Sequence, residues 1–140
     1  MIIRIQHYLM ATLEAGRNQN APAIAAYEKT IDTFDRTQKI APDYLREAHY
    51  KLANSLYQEG KYAESIDAFD AAIKLFPDHP HKNWSEFISA DALKKIKNNP
   101  KATAQLNQLI KSQSENNLIK KAAQSQLKVM EWEKENTNAL

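Results

Sequence analysis

Apolar side chains recur along this chain at helical steps. Tyr62, Ile66, Phe69, Ile73 and Phe76 follow one another at intervals of four, three, four and three, the spacing of one stripe on a 3.6-residue helix. Residues 47–59 set Tyr50, Ala53 and Tyr57 beside Leu52 and Leu56 on adjoining stripes. Gly60 stands between the two runs, suited to the left-handed angles past a helix end. Pro77 closes the second run, because the residue before a proline avoids the helical region. Together these features predict a helix hairpin over about 42–77.

The same pattern occurs more than once. At an offset of 42, His7–Tyr8 matches His49–Tyr50, Ala11 matches Ala53, and Ala21, Ile24, Tyr27, Ile31 and Phe34 match Ala63, Ile66, Phe69, Ile73 and Phe76. Matches held in one register mark an internal repeat. A further copy lies 37 residues on, with Phe87, Leu93, Ala102, Leu106 and Ile110 at the places of Tyr50, Leu56, Ser65, Phe69 and Ile73. Pro100 falls just inside the start of that copy's second helix, where its missing N–H costs nothing. One more helix is expected over 115–135, with Leu118, Ala122, Leu127 and Met130 or Val129 inward. The expected organisation is a single all-α domain over 1–135: seven helices, as hairpins at about 2–38, 42–77 and 81–113 plus a capping helix, with 136–140 frayed.

Composition narrows the chemistry. Cysteine is absent, which removes disulfides, thiol nucleophiles and Cys-ligated zinc. Compartment stays open: cytoplasm if the chain is complete, periplasm if it is a processed or excised piece. No apolar run approaches the roughly 18 residues that span a bilayer. The net charge is +2, but its distribution is uneven. Residues 1–93 hold ten basic and thirteen acidic side chains, whereas 94–128 hold eight lysines against Glu115 alone. Lacking arginine clusters and interleaved aromatics, the lysine-rich segment reads as a solvated face and not as a nucleic-acid surface.

Nothing reads as catalytic machinery. Glu64, Asp67 and Asp70 step along one helix face between the apolar positions, where they are expected to face water. His79 and His81 flank Pro80 with Asp78 alongside, a sparse set for a metal, and are expected in a solvated turn. His7 and His49 occupy equivalent places in two copies, which argues for packing. Neither a nucleophile–base constellation nor a glycine-rich phosphate loop is present. Neither enzyme activity nor a cofactor is expected.

The stretch Ala48 to Ile66, continued by Phe69, Ala72 and Pro77, resembles a tetratricopeptide repeat. It carries Leu52 and small Ala53, then Gly60–Lys61–Tyr62, small Ser65, aromatic Phe69, small Ala72 and the closing proline. It departs in having His49 where that family usually has Trp, Ala53 for Gly and Ser65 for Ala. A softer resemblance, on the Phe76–Pro77–Asp78–His79–Pro80 turn and the uneven repeat lengths, is to bacterial envelope proteins of the cell-division-coordinator and outer-membrane-assembly lipoprotein types. The family resemblance implies a right-handed superhelix of three hairpins plus the capping helix, and a non-catalytic scaffold or adaptor whose concave groove holds a partner peptide or helix. Carried over by position, the groove residues are Glu47, Tyr50, Asn54, Tyr57 and Gln58, with Tyr8 and Thr12 in the first copy and Phe87 and Asp91 in the third. The family's carboxylate clamp has lysine at the place of Tyr50, so capture of a chain-terminal carboxylate is not implied. The alternatives are self-assembly through Ile2, Ile3, Ile5 or the last helix, and a substrate-presenting domain of a larger enzyme.

Overall fold

The computed structural model describes residues 20–34, 41–114 and 117–137. Every regular element among them is an α-helix, in the order α1 (Asn20–Asp32), α2 (Asp43–Gln58), α3 (Tyr62–Leu75), α4 (Lys82–Lys95), α5 (Asn99–Ser112) and α6 (Leu118–Asn136). The expected helix carrying Tyr8 and Thr12, and the isoleucines at 2, 3 and 5, lie outside the described residues. The chain divides into two compact units, one through Lys82 and one from Asn83.

In the first unit α1 packs on α2 and α2 on α3. The 42-residue repeat reappears here as burial. Ala23 and Ser65, Ile24 and Ile66, Tyr27 and Phe69, and Thr30 and Ala72 are buried pair by pair, while Ala21 and Ala63 are both exposed. Tyr27 packs with Ala23 and Ala48, walled by Ala26, Ile31 and Leu52. Small residues at these places let the helix backbones approach, and the aromatic fills the space left between them. Two buried hydroxyls are satisfied within their own helices: Thr30 donates to the Ala26 carbonyl at 2.9 Å and Ser65 to that of Tyr62 at 2.8 Å.

The second unit repeats the pattern in weaker form. Ala90, Leu93, Ala102, Leu106 and Leu109 are buried at the places of Ala53, Leu56, Ser65, Phe69 and Ala72. Gln105 on α5 donates to the Glu86 carbonyl on α4 at 2.7 Å. Pro100 lies in the first turn of α5, and Asn98 caps it by accepting the Lys101 N–H. α6 packs on α5. It starts at Leu118, where the Asn117 side chain accepts the N–H groups of Ile119 at 2.7 Å and Lys120 at 3.3 Å.

The inward face of α6 keeps the expected Leu127 and Met130 but not Leu118. Ala123 and Met130 are buried and Leu127 is half-buried, but Leu118 is 78% exposed and Val129 45%. Two stripes compete on this helix, and the one through Ala123, Leu127 and Met130 wins. Its alanine permits close approach to α5 although it adds little hydrophobicity.

The exits from the first helices of these two hairpins share one geometry. At the end of α2 the Lys61 N–H reaches the Leu56 carbonyl at 2.9 Å and the Gly60 N–H that of Tyr57 at 3.0 Å, with Gly60 at φ +83°. At the end of α4 the Asn98 N–H reaches Leu93 at 2.9 Å and the Lys97 N–H reaches Lys94 at 3.0 Å. Both are Schellman closures, which require a left-handed residue just past the helix. In the later copy that residue is Lys97, at φ 68°. A side chain there costs roughly 1 kcal/mol. Lys97→Gly is therefore expected to raise stability by about 0.5–1 kcal/mol. Gly60→Ala should lower it by about 1 kcal/mol for torsional reasons, because an added Cβ meets nothing within 4 Å. Denaturant midpoints check both; unmoved midpoints would mean these exits are not held in the left-handed geometry in solution.

Candidate functional site

The residues expected to line a groove lie on the first helix of each hairpin. On α2, Glu47, Tyr50, Asn54 and Tyr57 succeed one another at helical steps along one side. Their environments differ from end to end. Tyr50 is only 3% exposed. Its hydroxyl donates to the Phe76 carbonyl at 2.7 Å, and its ring stacks on His79 with centroids 4.3 Å apart. Glu47 is half-buried and accepts from His79 Nε2 at 2.6 Å. His79 Nδ1 accepts the His81 backbone N–H at 3.1 Å, so the proton shared with Glu47 sits on Nε2. Arg46 adds its guanidinium over the Phe76 ring, 5.6 Å from the centroid.

The turn after α3 is thus pinned onto the start of α2. This corrects the expectation of a solvated turn: His81 is exposed, but His79 is buried, with both ring nitrogens and one ring face engaged. The sequence offered the His-Pro-His pattern but no sign that the ring would reach back 32 residues to Glu47. His49 packs edge-on to Phe76 at 5.4 Å, the packing role that its repetition suggested. Among the described residues no group of three or more His, Asp or Glu side chains is gathered to hold a metal ion. Glu64, Asp67 and Asp70 are exposed on α3.

Beyond Tyr50 the α2 face opens. Asn54 and Tyr57 are half-buried and Gln58 is exposed. The Tyr57 ring meets Tyr62 of α3 edge-to-face at 5.5 Å, which fixes its orientation. On α4, in the other unit, Phe87 is half-buried and stacks on the exposed Trp84 at 5.4 Å with 24° between the planes. Asp91 is half-buried one turn further on. Trp84 was missed in the sequence as a member of this face, although it stands one turn before Phe87, at the place matching Glu47. Tyr8 and Thr12 lie outside the described residues.

These helices define a class: among the described residues, an all-helical protein of repeated helix hairpins, with part-exposed polar and aromatic side chains along α2 and α4. Residues 46–79, which take in most of α2, all of α3 and the turn pinned by His79, match the model of the tetratricopeptide repeat family. That segment is similar to a tetratricopeptide repeat, and repeats of this family generally mediate protein–protein interaction. No characterised protein matches the chain. No helix among the described residues is long and apolar enough to cross a membrane.

Proposed function

We propose that this chain is a non-catalytic protein-interaction module that holds an extended or helical segment of a partner protein on the first-helix faces of its repeats. The observation that carries this reading is the graded α2 face. One end is anchored through Tyr50 and Glu47 to the Phe76–His79 turn, and the other leaves Asn54 and Tyr57 part-exposed and Gln58 exposed. An amide offers both a donor and an acceptor to a peptide backbone, and an aromatic ring held by a neighbour loses little freedom on binding. Phe87 and Asp91 on α4, with Trp84 added, and Tyr8 and Thr12 in the first copy are the corresponding positions. A bacterial envelope setting rests on the Phe76–Pro80 turn and the uneven repeat lengths.

A displayed peptide library selected on the chain tests the reading. Selected peptides should lose about tenfold or more in affinity on Asn54→Ala or Tyr57→Ala, the size typical of an interface anchor. Asp67→Ala, on the exposed side of α3, should change nothing. Peptides that bind all three variants alike would place recognition elsewhere.

A further inference from the structure

α6 carries a second stripe, apolar but for Ser125, that its own unit leaves open except at the half-buried Ala122. Leu118, Ala122, Ser125, Val129 and Trp132 follow at steps of four, three, four and three, over about 21 Å of helix axis. Leu118, Val129 and Trp132 are 78, 45 and 58% exposed. Solitary exposed apolar residues need no explanation, but an aligned row ending in a tryptophan marks an interaction surface.

The charges beside this stripe say what fits it. Residues 118–130 of α6 hold Lys120, Lys121 and Lys128 and no acid, while residues 131–136 hold Glu131, Glu133 and Glu135 against Lys134. That order runs against the helix's own macrodipole, which favours acids at the start and bases at the end. It becomes favourable beside an antiparallel helix of the same sequence, where the lysines near one helix's start lie by the glutamates near the other's end. On one flank Glu133 is already paired with Lys94 of α4 at 3.2 Å. The other flank presents Lys121, Lys128 and Glu135, all exposed.

We propose that the outer face of α6 pairs antiparallel with α6 of a second copy of this chain, giving a two-fold symmetric dimer. Seating Trp132 over the small Ala122 of the second copy sets Ser125 against Val129 and Lys121 against Glu135, and the symmetry makes each contact twice. Lys128 falls beside its own copy near the axis, an exposed pair screened by water and salt. A single helix pair is a small interface, so the dimer is weak and dependent on concentration. This surface is distinct from the α2 face, and its test does not rely on that reading.

Light scattering on the full chain, from micromolar to submillimolar concentration, is the experiment, with far-ultraviolet circular dichroism to verify that each variant is folded. The mass should rise from one chain to two, and Trp132→Glu should hold it at one. Lys121→Glu and Glu135→Lys alone should each weaken the dimer by about tenfold, and the two together should restore it. A wild-type mass of one chain throughout overturns the proposal. So does assembly indifferent to Trp132→Glu, or a double variant no better than the singles.

Discussion

Tyr50→Ala is expected to cost about 3–5 kcal/mol of folding stability, the range for removing a core aromatic. Three separate contacts explain the size. The ring is buried, it stacks on His79, and its hydroxyl satisfies the Phe76 carbonyl where α3 ends. Removing it leaves a cavity, loosens the turn after α3 and strips a partner from a carbonyl. Tyr50→Phe isolates the last contribution and should cost about 1 kcal/mol. Chemical denaturation of both variants measures this. A loss below 1 kcal/mol for the alanine variant would show that the turn is not held by this ring. Partner affinity of the surviving folded variant then separates two roles for Tyr50. Unaltered affinity makes it purely a buried anchor; weakened affinity means that it shapes the surface presented by Asn54 and Tyr57.

Truncation after Ser114 is the second large effect. It removes α6, and with it the buried Ala123 and Met130, half-buried Leu127 and the Lys94–Glu133 pair. Burial of Met130 alone contributes roughly 1.5–3 kcal/mol, and the alanine and leucine add to it, whereas the exposed ion pair adds little. A terminal helix also shields the apolar side of the preceding hairpin, which a one-dimensional stack leaves open at its end. The truncated chain should lose about 3 kcal/mol or more, melt lower and aggregate on heating. An unchanged melting temperature would show α6 to be an appendage and not part of the unit's core.

Much of the fold was legible because it rests on local signals. The α2–α3 hairpin has a strict apolar period, a glycine at its turn and a proline at its end, and the positions matched 42 residues apart share burial. Where one of these signals was missing, the structure still kept the geometry. Lys97 takes the place of Gly60 with a side chain that gives no hint of left-handed angles. Contacts between distant residues were not legible. Glu47, Tyr50 and His79 meet only because the turn after α3 folds back over α2, and nothing local in the sequence marked Tyr50, expected among the groove aromatics, as buried. In α6 the error came from weight given to size. Leu118 outranks Ala123 in hydrophobicity, yet close helix packing favours the alanine and leaves the leucine in water.

The most direct test of a partner-binding α2 face is site-specific photocrosslinking in the native cell. A photoreactive side chain would be placed in turn at Asn54, at Tyr57 and, as the contrast, at Asp67 on the exposed side of α3. The account predicts that positions 54 and 57 capture the same heterologous protein and that position 67 does not. Equal capture from all three positions, or capture from position 67 alone, would contradict it.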